Sequence, residues 1–398
     1  MATFKTITSD DIKTTTSTLN QLVDLVEEDI SGSNTRKKFQ VFVTSSNTNA
    51  VTSSLFHTVY DQNYTLQTAN ELFDLTMGMY HDSTTVATAH ADPKEDSNLK
   101  TLFVSQSLMM REKINIYRQH AQLLLGNSTS RFTAPNSNLP VLASNNIDEA
   151  LFINFKRLFV RDGIKRETFA IKLFQSSSNG HATDAHPKNL AVTVVNSASG
   201  SAIFTDVGAS ASVERSATGG DVGNIVNASN TTENVGLMFY QQGIAILDMK
   251  KVFAANQIMT GSVASVGAHA TTPMSGAFIP DFVVSSSIDD ILDHVAETRF
   301  GLGSNTFATF QNNTRINSTL YFCRATADEF NYSTNPTYTG TDGNIVVLDE
   351  GAEEKSFSFV TTVGLYDANE ELLAVAKLSR PVEKNDEKDL TFRVRLDF

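Results

Sequence analysis

The stretch Leu390 to Phe398 alternates apolar and polar side chains more regularly than any other part of the chain. Its apolar members are Leu390, Phe392, Val394, Leu396 and Phe398. A period of two residues is typical of a half-buried β-strand. Because chain ends fray unless they are tied down, this pattern predicts that the last residues lie inside a sheet.

Two more strands are predicted just upstream of this stretch. Phe357 to Tyr366 is rich in aromatic and β-branched residues, and Leu372 to Leu378 returns after a polar, turn-like segment. Arg380-Pro381 is expected to end the second strand, since proline cannot donate a backbone hydrogen bond. The C-terminal region is therefore predicted to be a three-stranded β module.

Composition and charge narrow the functional classes. The 398 residues carry a formal net charge of −13, and the basic clusters at Arg36–Lys38 and Lys156–Arg166 are short, which argues against nucleic acid as a partner. One cysteine, Cys323, excludes an internal disulfide framework. No apolar run approaches the roughly 20 residues that span a bilayer, so no membrane insertion is expected. The first residues lack a secretory signal pattern, which predicts synthesis and assembly in a cytoplasm.

Two helices are predicted in the N-terminal third. The first begins at Thr8–Asp11, with hydroxyl and acidic residues suited to a helix start. Its apolar stripe consists of Leu19, Leu22, Val23, Val26 and Ile30. The second, Ser105–Leu125, has the strongest helical periodicity in the chain and is closed by Gly126-Asn127. Between them, Phe39–Val43 predicts a strand, and 51–75 predicts extended segments.

The middle of the chain favours strands and long loops. Residues 149–160 fit a helix or a strand, and two strands around the Asp162-Gly163 turn are the favoured interpretation. A hairpin is predicted across residues 241–243, and a capped short helix is predicted from Ser287. The segment 255–277 has no periodicity and is expected to be a binding loop.

These elements predict an α+β fold that is dominated by β structure. It would have a helical N-terminal third, an antiparallel β-rich middle and a C-terminal β module. The linker-like segment 128–142 and the composition of the flanking regions place three domains at 1–135, 136–285 and 286–398.

Two groups of potential metal ligands can be found in the sequence. The first, in a loop-like segment, consists of His181, Asp184 and His186. The second, on the helix predicted after Ser287, consists of Asp289, Asp290, Asp293, His294 and Glu297. The first group matches no compact metal motif, and acids near a helix start fit capping and compensation of the helix dipole. No metal site is therefore expected.

No catalytic or cofactor-binding set emerges either. The glycines at 218–223 lack the strand, helix and lysine that a phosphate loop requires, so a turn is predicted; Gly301–Gly303 follows a helix instead of preceding one. Cys323 has no positioned base, and His57 and His120 stand alone in the sequence, with a packing or surface role expected for His120. The chain is therefore predicted not to be an enzyme, with no catalytic residue and no cofactor.

Several blocks of the chain resemble virion structural proteins of large contractile-tailed bacteriophages, many of them marine. The C-terminal blocks are TTVGLYDANEELLAVAKLSRPV and RVRLDF. Further blocks are NSTLYFCRATADEFNYSTNPTY, ALFINFKRLFVRDGIKRETFAIKLF, VTSSLFHTVYDQNYTLQTANELFDL and ITSDDIKTTTSTLNQLVDLVEEDISGS. In order, they span nearly the whole chain.

This resemblance implies a structural role in the virion, with the tail baseplate as the preferred location. The implied partners are other tail and baseplate proteins, in a multi-copy homo- or hetero-oligomer of a symmetric assembly. A neck, connector or capsid-associated protein is the alternative within the structural class. A module that binds or degrades host-surface carbohydrate is the alternative from another class. The resemblance transfers no catalytic residue.

Overall fold

The chain divides into two units, one formed by Asn20–Thr314 and the other by Met1–Leu19 together with Arg315–Phe398. The computed structural model describes residues 4–26, 36–42, 52–83, 85–86, 104–134, 145–174, 201–211, 213–253, 256–258, 275–277, 283–300, 306–333, 335–341 and 357–397. The three predicted domains are not tested by this division and remain predictions.

Strands outnumber helices throughout the described residues. The strands are β1 (Ile12–Val26), β2 (Arg36–Phe42), β3 (Thr52–Tyr60), β4 (Glu71–Met79), β5 (Phe132–Thr133), β6 (Asn146–Ile147), β7 (Glu149–Phe155), β8 (Gly163–Ile164), β9 (Ala170–Phe174), β10 (Ser201–Thr205), β11 (Glu214–Ser216), β12 (Gly220–Asn227), β13 (Asn230–Phe239), β14 (Ile244–Asp248), β15 (Asn256–Ile258), β16 (Ser275–Ala277), β17 (Thr306–Ala325), β18 (Ser358–Tyr366), β19 (Leu372–Lys384) and β20 (Leu390–Asp397). The helices are α1 (Val104–Leu125), α2 (Arg157–Val160), α3 (Met249–Val252), α4 (Val283–Ser285) and α5 (Ile288–Thr298).

A large antiparallel sheet organises the unit formed by residues 20–314. Its strand order is β17-β9-β10-β12-β13-β14-β7-β4-β3-β2, with β11 beside β12 and β8 beside β17. Strand β7 lies between β14 and β4 and is paired antiparallel to both. Its burial on both faces matches the apolar run from Ala150 to Ile153.

Helices α1 and α5 pack on strands β3 and β4 of this sheet. The backbone of α1 approaches β4 so closely that a Cβ on Gly78 would lie 2.8 Å from the backbone nitrogen of Tyr117. Helix α5 begins where predicted, with the Ser287 side chain accepting a hydrogen bond from the Asp290 backbone N–H at 3.1 Å. Its apolar face is fully buried and consists of Ile288, Ile291, Leu292 and Val295.

The predicted fold class, α+β with a helical N-terminal third, is wrong. The first third is mainly strand, and the segment expected to form the first helix is the 15-residue strand β1. Four threonines at 14–16 and 18 favour extended backbone because β-branched side chains lose χ1 freedom in a helix. The supposed apolar stripe is not a core face, since Leu19 and Leu22 are both exposed. The described part of the molecule is dominated by β structure.

Other individual predictions are confirmed. Helix α1, the strand at β2, the extended segments at β3 and β4, and the β13–β14 hairpin lie where the patterns placed them. Residues 149–160, predicted as either a helix or a strand, contain both: strand β7 comes first and the one-turn helix α2 follows. The predicted loop at 255–277 falls largely outside the described residues.

The smaller unit contains the second half of β17, which pairs antiparallel with β20 from Ser318↔Asp397 to Ala325↔Leu390. The alternating C-terminal stretch is therefore a strand within a sheet, as predicted. Strands β18 and β19 form a separate two-stranded sheet. Pro381 does not end β19, because the pairing jumps from Val360↔Val382 to Thr362↔Lys377 and the proline lies in that bulge.

Candidate functional site

Buried apolar side chains are distributed very unevenly between the two units. Every member of the hydrophobic core cluster, from Leu25 to Phe310, belongs to residues 20–314. Among the described residues of the smaller unit, the buried apolar side chains are Ala325, Leu365 and Val394. The described part of this unit therefore has almost no apolar core of its own.

The smaller unit instead exposes large apolar side chains. They are Phe4, Ile12, Leu19, Phe330, Tyr332, Phe357, Phe359, Tyr366, Leu372, Leu373 and Val375. These eleven are the majority of the 18 large apolar residues exposed in the described chain, although the unit is the smaller of the two. We call the set the apolar β surface. Some of its members touch one another, as Phe4 does Tyr366 and Phe357 does Phe359. Exposed apolar side chains that cluster in this way are typical of interaction sites.

The β18–β19 hairpin carries the most exposed part of the apolar β surface. Leu372 and Leu373 are 52% and 69% exposed, and as neighbours on a strand they point to opposite faces. In the described residues, no third strand pairs with either β18 or β19. An isolated two-stranded sheet is marginally stable in water. Further packing on its faces would therefore stabilise the hairpin.

The tip of the hairpin is a pre-organised turn. The Asp367 carboxylate accepts hydrogen bonds from the backbone N–H groups of Asn369 at 2.9 Å and Glu371 at 2.8 Å. Glu370 adopts a positive φ of 65°, and the Asp367 N–H donates to the Glu371 carbonyl at 3.0 Å. Such a turn holds its flanking side chains in place before any partner arrives, which lowers the entropy cost of binding.

The base of the hairpin is fixed by a buried lysine. Lys384 Nζ donates to the carbonyls of Asn385 at 2.7 Å and Ala327 at 3.2 Å, and to Asn331 Oδ1 at 2.8 Å. The loop that supplies these acceptors includes Phe330, an exposed aromatic residue with a φ of 56°. A positive φ is a strained conformation for a bulky side chain and is common at functional sites. The hairpin is thus held at its base by Lys384, and the apolar side chains beside its turn are exposed to solvent.

The residues that the sequence singled out for chemistry lie apart from this surface or outside the described chain. His181, Asp184, His186 and Gly301–Gly303 are outside the described residues, as is the Glu297 side chain. The turn predicted at 218–223 covers only residues 217–219, and Gly220 and Gly223 lie in strand β12. A Cβ on Gly219 would lie 2.6 Å from the Leu124 carbonyl oxygen.

His120 and Cys323 both have structural surroundings. The His120 ring stacks on Phe152 with centroids 3.9 Å apart, so its predicted packing role is confirmed, and burial lowers its pKa. Cys323 lies in β17, half-buried, and burial raises the pKa of its thiol. A raised pKa lowers the thiolate fraction and so the nucleophilicity of this residue.

His57 is not isolated, contrary to its position in the sequence. The fold brings it from β3 against two acids of α5: Nε2 lies 2.8 Å from Asp289 Oδ1, and Nδ1 lies 3.8 Å from Asp293 Oδ1. Burial lowers the pKa of His57, while the hydrogen bond to Asp289 opposes that shift. The sequence analysis identified Asp289 and Asp293 as potential ligands but did not connect His57 with them, because 232 residues separate His57 from Asp289.

The other two predicted ligands on α5 point elsewhere. Asp290 takes part in the helix cap with Ser287. His294 is fully buried, and its Nε2 lies 2.7 Å from Nη2 of Arg299, which stacks over Phe253. Burial lowers the pKa of His294 well below its usual value, so it stays neutral beside the guanidinium.

Comparisons of the chain with protein-family models, with curated proteins and with solved structures return no match. Within the residues described, no helix combines the length and apolarity needed to cross a membrane.

Proposed function

We propose that this chain is a structural subunit of a bacteriophage virion that acts through protein–protein contacts, with the tail baseplate as its location. The observation that carries the protein–protein role is the apolar β surface on a unit whose described residues form almost no apolar core. A virion origin and the baseplate location rest on the sequence resemblance.

The geometry supports assembly because the smaller unit needs apolar partners. A β unit with so few buried side chains gains little free energy from its own packing, since each large apolar side chain contributes about 1.5–3 kcal/mol only when it is buried. Neighbouring subunits would supply the missing cover. Stable interfaces of this sort have an apolar centre, often with exposed aromatic anchors such as Phe359 and Tyr366.

A substitution at the hairpin tip tests this role. Leu373→Ser removes the most exposed apolar side chain of the surface without touching a core contact. We expect the purified subunit to keep its thermal unfolding midpoint and its circular dichroism, but to be incorporated into tail subassemblies at least ten-fold less efficiently. Incorporation is measured by complementing a phage that lacks the gene.

The matched control is Leu158→Ser. Leu158 is also an exposed leucine, at 64%, but it lies in α2 of the larger unit. We expect this variant to be incorporated normally. Equal incorporation of both variants would contradict an assembly role for the hairpin.

Mass spectrometry of subassemblies extracted from purified virions tests the location. We expect the chain in baseplate fractions. Its recovery with the neck or capsid instead would favour the alternative structural role, and its absence from virions would refute the proposal. Turnover of host envelope polysaccharide that is lost on mutation of one carboxylate would favour a carbohydrate-active module.

A further inference from the structure

The His57 imidazole has one nitrogen satisfied and one nitrogen unsatisfied. A carboxylate is only an acceptor when it is ionised, so the 2.8 Å contact between Nε2 and Asp289 Oδ1 places the hydrogen of the neutral ring on Nε2. Nδ1 then carries the lone pair. This atom is buried and has no hydrogen-bond partner, and the side chain of His57 is 0% exposed.

The unsatisfied nitrogen faces a second carboxylate oxygen at a distance that suits neither a hydrogen bond nor a shared water. Nδ1 lies 3.8 Å from Asp293 Oδ1, whereas direct hydrogen bonds to nitrogen span about 2.7–3.2 Å. Two hydrogen bonds of about 2.8 Å that meet at a water at the tetrahedral angle would separate the two atoms by roughly 4.5 Å. Two electron-rich atoms therefore face each other across a short gap.

A metal ion fits this gap. Two metal–ligand bonds of about 2.0–2.1 Å separate their ligand atoms by roughly 3.4 Å at the tetrahedral angle and by more at wider angles. One nitrogen of His57 and one oxygen each of Asp289 and Asp293 lie within 4.8 Å of one another. Metal-binding histidines commonly donate their other N–H to a carboxylate, which is the relation of His57 to Asp289.

We propose that His57 Nδ1 and a carboxylate oxygen of Asp293 bind a divalent transition-metal ion of the zinc class, with Asp289 orienting the imidazole. Imidazole nitrogen selects such ions over Mg²⁺ and Ca²⁺, which prefer all-oxygen sites. The Asp293 side chain is 24% exposed, so water completes the coordination. The ion joins β3 to α5 and stabilises the larger unit.

Arg36 contributes to the same cluster. Its Nη1 donates to Asp293 Oδ1 at 2.6 Å, and its side chain is 3% exposed. This is the same oxygen that lies 3.8 Å from His57 Nδ1. A carboxylate oxygen offers two lone pairs, so Asp293 Oδ1 can accept from Arg36 and also bind the ion. Arg36 then holds the Asp293 side chain beside His57.

Zinc titration of the full chain tests the site. The protein is stripped with a chelator, and Zn²⁺ is added during isothermal titration calorimetry and during thermal unfolding. We expect one Zn²⁺ per chain at micromolar or tighter affinity and a rise in the unfolding midpoint, with no effect of Mg²⁺. Asp289→Asn should weaken binding about 10–100-fold, because a neutral amide orients the ring less firmly than the carboxylate and no longer raises the basicity of the imidazole.

His57→Gln and Asp293→Asn should each abolish the saturable binding. His81→Gln is the matched control: His81 also lies beside an acid, with Nδ1 2.7 Å from Asp82 Oδ1, but at the surface. If His57→Gln fails to fold, the partly exposed Asp293→Asn decides the question. Binding that is absent from the parent protein, or that survives Asp293→Asn, would overturn the proposal. Binding that disappears with His81→Gln would also overturn it.

Discussion

Buried ionisable groups in the larger unit stand out at the scale of single residues. Lys113 is fully buried, and its Nζ donates to the carbonyls of Val283 at 2.5 Å and Ser286 at 2.6 Å, where it caps the short helix α4. Burial lowers the pKa of Lys113 to about 7. Such groups couple the stability of the fold to pH, and Asp248 offers the simplest test of this coupling.

Asp248→Asn should change how stability depends on pH. Burial raises the pKa of Asp248 from 3.8 to about 6, with opposing contributions from Lys251 and from the backbone N–H of Lys250. Because the folded-state pKa is the higher one, the folded chain loses stability as pH rises from about 4 through 6. Asparagine keeps the helix cap of α3 but does not ionise.

The expected difference is on the order of 3 kcal/mol, from a pKa shift of about two units. The free energy of unfolding of the parent, relative to that of Asp248→Asn, should fall across pH 4–7. Urea denaturation at several pH values measures it. Parallel pH profiles for the two proteins would contradict the assignment.

Gly78→Ala should destabilise the contact between β4 and α1. The added Cβ would lie 2.9 Å from Tyr117 Cβ and closer still to its backbone nitrogen, so the helix would have to shift. We expect a loss of about 2–3 kcal/mol in unfolding free energy, typical of overpacking. Gly208→Ala, which meets no atom within 4 Å but has a φ of 79°, should cost only about 1 kcal/mol.

Single-sequence reasoning could not have found His57, Asp289 and Asp293 as one cluster. It identified the acids because they follow a recognisable helix cap, and it explained them by that cap. Strand β3 pairs with β4, and helix α5 packs on both strands, which brings His57 beside the two acids. The spacing of residues along the sequence encodes neither contact. Non-local contacts of this kind are beyond periodicity arguments.

At the scale of elements, strands β17 and β20 form the best-defined ladder of the smaller unit. Eight consecutive residue pairs join them without a register shift. Alternation predicted β20 because the strand is half-buried, with Val394 buried between exposed Arg393 and Arg395. Periodicity gave the wrong result for β1. Its apolar residues recur at spacings of three and four residues, as in a helix, although its run of threonines favours a strand.

Removal of residues 390–398 should expose the edge of β17 along Ser318–Ala325. Unpaired edges associate with other strands, so the truncated chain is expected to aggregate and to fail in assembly. Size-exclusion chromatography and light scattering measure this. A shortened chain that stayed soluble and still assembled would show that β20 is dispensable for the sheet.

At the scale of the whole molecule, the core belongs to one unit and the exposed apolar surface to the other. The larger unit holds a continuous sheet, the helices that cover it and the full hydrophobic cluster. In the described part of the smaller unit, apolar side chains meet in small local contacts, such as the edge-to-face pair Phe4 and Tyr366 with ring centroids 4.9 Å apart. Composition could not reveal this division, because apolar residues occur at normal frequency in both regions.

A fragment of residues 20–314 should therefore fold by itself. We expect it to unfold cooperatively, with a thermal midpoint within a few degrees of the main transition of the full chain. Differential scanning calorimetry makes the comparison. A fragment with no cooperative transition would show that the larger unit depends on residues outside its own range.

The long sequence separation between strands β1 and β17 delays their pairing during synthesis of the chain. Thr16 Oγ1 donates to Asn317 Oδ1 at 3.1 Å across a separation of 301 residues. At about 5–20 residues per second, synthesis leaves β1 without its neighbour for roughly 15–60 s. Throughout that interval the backbone N–H and C=O groups of β1 that later pair with β17 are available to chaperones and to other nascent chains. Strand β1 is thus synthesised well before the part of β17 that pairs with it, and the smaller unit matures only after the larger one can already have formed.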